Sequence, residues 1–555
     1  MSELIARFPR LALTALAILC LMPGTWLLPL MDRDEPRFSR ATVEMNERGS
    51  WAVPFFNGKY RFDKPPLTYW SMEPGLALLG KTEMAVRLHS VVSSWLIALI
   101  LFEIAVLLGA TNLRGFVAGA AWLTCLQVMQ HGRLAVADVL LVLWVAAAML
   151  CLLKIGVRAG SQRLQFDRWF WGLVGSLALG FLAKGPLAFL IPGLALAVGG
   201  LALWKNKRSV RPLSGIALHF GVAIIPALAL VALWGIPALL ETKGAYFNIG
   251  IGKHVVERGT VAFNKRTSLP GLYYLLVMIP FLLPWTSAMP RALRDTWRAL
   301  DWQRALMLGW FAAPFAIFSF YATQLPHYIL PGYPALMVLI ALLPAKTSNP
   351  LKWTGKVWCG IAAGVPWVCG IVAFAIGLIG LNRVGDHALP TVAVGLGVMF
   401  LLLGTASLQI SRGRQLLGIF LATASCAVLW PTFQAARNAH LTVRLHAAVG
   451  EPEPGPLNAH GFAEPSLVWY FQRPWNFLTT DDDAALTVVC TRRWRLDGPC
   501  LRALINREAL TPVDDRTVEA LKKLPSDAGA PEFVQGWNPG TNSWLELAFV
   551  RKRKN

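Results

Sequence analysis

Residues 11–40 read LALTALAILCLMPGTWLLPLMDRDEPRFSR: some twenty apolar residues, Leu11 to Leu30, followed at once by Asp32, Arg33, Asp34, Glu35 and Arg37. An apolar run of that length is what a membrane-crossing helix requires, and no small-residue cleavage site of the A-x-A kind follows it, so it reads as retained rather than as a removed leader. Charges directly after a span can serve merely as interfacial anchors. Whether these do more depends on the rest of the chain.

Of the 555 residues, 55% are hydrophobic and only 15% are charged. Soluble proteins carry roughly a quarter charged residues, so the composition excludes an ordinary soluble domain. Apolar runs continue at 84–108, 115–131, 135–157, 169–184, 186–204, 213–240, 269–289, 305–322, 328–345, 357–381, 390–410 and 416–432. The expectation is a polytopic α-helical membrane protein with about thirteen transmembrane helices over 1–432. The net charge of +21 comes from basic residues clustered in short connections. Those carrying Arg7 and Arg10, Arg114, Arg158 to Arg168, Lys205 to Arg211, Arg291 to Arg304, Lys346 to Lys356, and Arg412 with Arg414 alternate with connections poor in them. The positive-inside rule makes the first set cytoplasmic, so the charge is topological and no nucleic-acid partner is expected. Loops 31–83 and 241–268 then face the periplasm. Within the first, Pro36 to Glu47 and Pro66 to Leu79 read as helices lying on the membrane surface.

Beyond 432 the chain changes to EPEPGP, an acidic DDD and strand-like LTVVC and ELAFV. Residues 433–555 read as a periplasmic α/β domain. Six of the eight cysteines lie in apolar runs, but Cys490 and Cys500 fall in this polar domain. In an oxidising compartment they are expected to pair as a disulfide.

Acids and bases recur at the predicted outer junctions: Asp34, Glu35 and Arg37 after the first run; Asp63 and Lys64 in RFDKPPLTYW; Arg133 and Asp138 in HGRLAVAD; Lys184 in LAKGPLAF; His254 and Arg258 in the second long loop; His327 and Tyr328 in QLPHYILP. Anchoring alone predicts charge at both faces, and ionisable groups set against a span, as Asp138 and Lys184 are, mark function by default. Cations with nearby carboxylates suit transfer from a lipid-linked phosphate. Arg87, Arg133 and Arg258 serve equally well as interfacial anchors, and His327 with Tyr328 equally well as helix-start residues. His89 and His219 read as packed within the bundle.

The first loop, DEPRFSRATVEMNERGSWAVPFFNGKYRFDKPPLTYW followed by EMAVRLHS, resembles that of the bacterial aminoarabinose (lipid A) transferases, C-type membrane glycosyltransferases related to the protein O-mannosyltransferases. The resemblance continues through Arg133, Asp138, LAKGP, the His254 loop, LPW at 283–285 and LPHYILP, covering most of the first 345 residues. It departs from the family pattern at Asp63, where Glu is usual, and at Arg61, His89 and Gln324. It implies an inverting glycosyltransferase of the inner membrane that moves a sugar, 4-amino-4-deoxy-L-arabinose in the family's best-known members, from undecaprenyl phosphate to a periplasmic-side acceptor such as lipid A. It further implies Asp34 and Asp138 as catalytic acids, and Arg37 and Lys64, joined by Tyr328, as the donor-phosphate grip. Asp63 and His254 match positions that hold a divalent cation, zinc or magnesium, and no other cofactor is expected. The protein is expected to act as a monomer. The same chemistry on a protein or polysaccharide acceptor is the alternative. A flippase for an anionic lipid is the rival from another class; it would need repeat-related broken helices at the bilayer midplane, and no such repeats are visible.

Overall fold

The computed structural model describes residues 2–158, 164–250, 252, 272–344, 353–381, 388–477, 484–495, 512–525 and 530–552. Among them, seven helices are long and apolar enough to cross a membrane: Glu83–Leu107, Asp138–Arg158, Leu187–Lys205, Arg211–Glu241, Trp353–Gly380, Ala388–Ser411 and Gln415–Ala439. Shorter apolar helices, among them Pro9–Leu21, Arg168–Lys184, Leu272–Phe281 and Trp302–Phe318, occupy further predicted runs. The chain is a multi-pass, mostly helical membrane protein.

Three runs are shaped differently from an unbroken span. The first helix stops at Leu21, because Pro23 has no N–H to continue the ladder and Gly24 turns the chain at φ +88°, where a Cβ would lie 2.4 Å from the Phe433 ring. The run at 115–131 breaks after Leu123 and resumes as the short helix Leu126–His131. The run at 328–345 opens as a 3₁₀ turn, Pro326–Gly332, before helix Tyr333–Ala341.

Both helices expected in the first loop are present, as Asp34–Arg48 and Leu67–Leu79, the first of them mostly buried. Between them runs a small hairpin, Phe55–Phe56 with Lys59–Tyr60, turning at Asn57 and Gly58 with φ of +53° and +78°. That positive-φ pair is the favoured geometry for a two-residue turn, and Asn-Gly is its commonest sequence. The Glu44 carboxylate accepts both turn N–H groups, at 2.9 and 3.1 Å, tying the hairpin to helix Asp34–Arg48.

The last long helix runs past the expected boundary at 432 to Ala439. After it, helix Leu441–Val449 leads into a mixed sheet in which Leu457–His460 lies parallel to Leu486–Arg495, followed by antiparallel Ser543–Arg551 and Glu532–Asn538. LTVVC and ELAFV are neighbours in this sheet, with Val488 opposite Phe549 and Cys490 opposite Leu547. Cys500 lies outside the described residues, and with it the expected pairing to Cys490.

This C-terminal unit sits on the first loop. Trp469 shares a core with Phe38, Ala41, Tyr69 and Met72. Around it, Asn57 and Trp475 exchange two hydrogen bonds of 2.9 Å, Arg40 donates to Gln472 at 3.0 Å, and the Ser466 N–H donates to Asp32 at 2.9 Å.

Candidate active site

Asp34 and Glu35 are sequence neighbours, so on a helix their side chains point roughly 100° apart. The structure assigns them opposite tasks. Glu35 is buried and bonded through both oxygens to the fully buried Arg87, at 2.8 and 2.7 Å. It also accepts from the N–H groups of Met31 and Ala135. Arg87 in turn donates to the carbonyls of Thr25, Leu28 and Pro29. This is a structural lock that fastens the chain after the first helix to helix Glu83–Leu107. Asp34 faces the other way, exposed, and makes no ion pair among the described residues.

Arg133 also leaves the candidate list. Its guanidinium is buried and donates to the carbonyls of Cys20 and Pro23, completing the C-terminal end of the first helix, while packing over Phe433. His89 and His219 are buried with backbone partners, as expected. His254 and Arg258 lie outside the described residues.

The remaining candidates converge. Asp34, Arg37, Asp63, Lys64, Asp138, Lys184, His327 and Tyr328 all line one polar cavity of about 380 Å³, with Arg61 among its walls. Asp138 opens its helix and Lys184 closes helix Arg168–Lys184, each at the end where the helix dipole favours its charge. The two are ion-paired, and His327 Nε2 lies 3.6 Å from the same Asp138 oxygen. On the loop side, the hairpin delivers Arg61, Asp63 and Lys64. Asp63 accepts from Arg61 at 3.0 Å and from Lys64 at 3.1 Å, and Arg61 also donates to Tyr69. Burial, reinforced by Arg61 and opposed by Asp34, pulls Arg37 below the ordinary guanidinium range. Arg61 itself, despite its burial, is held above it by Tyr69 and Asp63. Two guanidiniums crowded in this way make a receptor for an anion.

A second cavity of about 320 Å³ opens beside the first, with walls that include Leu187, Leu190, Val231, Trp234, Leu239, Phe247 and Phe318. Phe62, Asp63, Lys64, Lys184 and Tyr328 line both cavities, so the charged groups stand where the apolar chamber meets the polar one. Tyr246, whose hydroxyl donates to the Lys64 carbonyl at 2.6 Å, fixes that junction.

Sequence reasoning missed Arg61, Tyr69, Tyr246 and His131. Arg61 stood out only as a departure from the family pattern, and the Asn-Gly turn that aims it was legible at 57–58. His131, whose ring lies 5.1 Å from that of His327, opens the HGRLAVAD stretch. Nothing in the sequence near Tyr246 points to Lys64.

No group of three or more His, Cys, Asp or Glu side chains that could hold a metal occurs among the described residues. Asp63 pairs with Arg61 and Lys64, His254 lies outside the described residues, and no step below passes through a metal ion.

The family profile of dolichyl-phosphate-mannose-protein mannosyltransferases matches residues 10–249. The fold is similar over 97% of both chains to the crystal structures of ArnT from Cupriavidus metallidurans, with a TM-score of 0.69 and 17% identity for the form bound to undecaprenyl phosphate, and 0.66 and 18% for the apo form. Fold and cavities therefore define a multi-pass membrane protein that shares the fold of those structures and sets a charged cavity beside an apolar one. In sequence, the chain is 31% identical over 410 residues to the undecaprenyl phosphate-α-4-amino-4-deoxy-L-arabinose arabinosyl transferase of Edwardsiella ictaluri, covering 70% of each chain. It is 31% identical over 392 residues to that of Pectobacterium carotovorum subsp. carotovorum, covering 68% of this chain and 66% of the relative. The chain belongs to this aminoarabinose transferase family.

Proposed function

We propose that the protein transfers 4-amino-4-deoxy-L-arabinose from undecaprenyl phosphate to a lipid A-type acceptor at the periplasmic face of the inner membrane, acting as a monomer with about thirteen spans and an outer C-terminal domain. The observation that carries this reading is the pair of adjoining cavities. The apolar chamber suits a polyprenyl chain, the polar one suits a sugar and its acceptor, and Lys64, Lys184 and Tyr328 stand between them, where the phosphate joining chain to sugar must lie.

In this reading Lys64 and the crowded Arg37 and Arg61 neutralise the phosphate, whose charge grows as the bond to the sugar breaks. Arg37 gains most, because an anion relieves its repulsion with Arg61. Asp34, which forms no ion pair among the described residues, takes the proton of an acceptor hydroxyl, or acts as an orienting charge if the acceptor is already an ionised phosphate. Asp138, committed to Lys184, positions rather than exchanges protons. Attack from the face opposite the phosphate gives a single displacement with inversion.

The test is transfer by purified protein from undecaprenyl-phosphate-aminoarabinose to lipid A, with mass spectrometry of the product. Transfer to a protein or polysaccharide but not to lipid A would reassign the acceptor, and no transfer to any of them would remove the reading. A zinc or magnesium ion on Asp63 and His254 is a separate proposal, tested by the metal content of wild type against Asp63→Asn and His254→Ala. Equal content in all three would dismiss it.

A further inference from the structure

His327 has no part in the phosphate grip described so far, although its neighbour Tyr328 does. The turn Pro326–Gly332 presents both side chains, but to different places: Tyr328 lines the junction of the two cavities, whereas His327 lines the polar cavity and not the apolar one. The imidazole is therefore on the side where the phosphate and sugar would lie.

The ring is held from behind. The His131 ring lies 5.1 Å away, and Gln127, on the same short helix as His131, donates to the Pro326 carbonyl at 3.1 Å, fixing the backbone just before His327. The Tyr328 ring packs edge-on at 5.1 Å. Nε2 is turned to Asp138 at 3.6 Å, and among the described residues Nδ1 has no hydrogen-bond partner.

The charges around the ring come from four elements: Asp138 at the start of its helix, Lys184 at the end of another, Lys64 from the first loop and His131 from the short helix. Asp34, Arg37, Arg61 and Asp63 line the same cavity. Burial, with His131, Lys184 and Lys64 adding to it and Asp138 opposing it, holds the imidazole down to about 3. The ring is thus neutral while the cavity holds no anion. An arriving phosphate reverses the balance of charge, because it pairs with the same lysines that suppress the imidazolium. The leaving phosphate then demands more. When the bond between the sugar and the phosphate oxygen breaks, its electron pair stays on that oxygen and the phosphate passes from one negative charge to two.

We propose that His327 is a further phosphate-binding and catalytic residue of this site, which takes a proton from solvent as the carrier seats and stabilises the second negative charge on the departing polyprenyl phosphate. His131 is its positioning residue. The proposal rests on the donor reading above and adds a residue to it. No redox partner is needed: the proton taken up on seating returns to solvent when the carrier phosphate leaves.

The experiment measures binding of a short-chain polyprenyl phosphate, and sugar transfer, between about pH 6 and 8.5 for full-length wild type, His327→Gln and His327→Ala. Because the phosphate itself titrates in this range, the quantity read is the difference in pH dependence between wild type and variant. Wild-type affinity is expected to gain close to one extra proton, approaching tenfold tighter binding per pH unit lost beyond His327→Gln. Transfer at saturating carrier should fall about ten- to a hundredfold in both variants. Equal pH slopes with near wild-type transfer in His327→Gln would overturn the proposal. So would an effect confined to the sugar-loaded donor, which would make His327 a sugar contact. If wild type itself neither binds the carrier phosphate nor transfers sugar, the donor reading fails instead. Both variants are checked for thermal unfolding against wild type, and His131→Asn should shift the pH slope in the same direction by a smaller amount.

Discussion

Two adjacent carboxylates should fail in opposite ways when neutralised. Glu35→Gln removes the negative charge facing Arg87, a guanidinium with no solvent exposure, and leaves it with three backbone carbonyls. Breaking a buried pair from one side costs roughly 3–5 kcal/mol, because the surviving charge stays desolvated and uncompensated. The Met31 and Ala135 N–H groups would meanwhile face an amide in place of a carboxylate, losing charge-assisted bonds of 2.9 and 2.7 Å. The folded-to-unfolded ratio should therefore fall about a hundredfold or more, at the lower bound of about 3 kcal/mol. Asp34→Asn touches no ion pair among the described residues and should change stability by no more than about 0.5 kcal/mol, while lowering sugar transfer by at least about a hundredfold. The assay pairs thermal unfolding in detergent, followed by tryptophan fluorescence, with transfer per folded molecule. Glu35→Gln should unfold far earlier yet transfer per folded molecule near the wild-type rate; Asp34→Asn should unfold with wild type and be nearly inactive. A Glu35→Gln protein as stable as wild type would refute the lock, and an active Asp34→Asn protein would refute the base.

Lys64→Ala removes a charge from the junction of the cavities, worth roughly 1.5–3 kcal/mol toward a partly desolvated phosphate, so carrier affinity should fall about ten- to a hundredfold in a direct binding assay. Asp32, at the seam with the C-terminal unit, is pushed up to about 7 by burial and then by Glu464, against the Ser466 hydrogen bond and Arg37. The folded state therefore binds a proton between about pH 4 and 7 that the unfolded chain does not, so this contribution is fully present below that window and is lost as pH rises through it. Asp32→Asn should flatten that part of the stability-pH curve, and an unchanged curve would contradict the assignment. Cys490 and Cys500 should resist alkylation in unreduced, denatured protein and react fully after reduction; free thiols before reduction would rule out the bond.

The charged stretch after the first span shows where sequence reasoning reaches its limit. That acids and bases of MDRDEPRFSR meet Asp138, Lys184 and His327 at one cavity follows from their recurrence at one predicted membrane face. The partition within the stretch does not follow. Asp34 and Glu35 are chemically alike, and only the position of Arg87, 52 residues further on, sends one into a lock and leaves the other to the cavity. Arg133 looked like a site cation for the same reason, until the carbonyls of Cys20 and Pro23 were found beneath it.

Composition, run length and the placement of lysine and arginine determined, without coordinates, that the chain is a multi-pass membrane protein with two helices in its first loop and a C-terminal stretch of different composition. Those properties are sums over many residues, each obeying the solvent it faces, so no single contact can overturn them. LTVVC and ELAFV were readable as strands because their apolar and β-branched residues suit a pleated, buried surface. Only the tertiary structure decided that these strands are neighbours, that the C-terminal unit seats on the first loop through Trp469, Ser466 and Trp475, and that the polar and apolar cavities share Lys64, Lys184 and Tyr328. Such facts rest on pairwise contacts between residues far apart in the chain, and the energy of a charge depends on which partner, carbonyl or empty space the fold puts within a few ångströms of it.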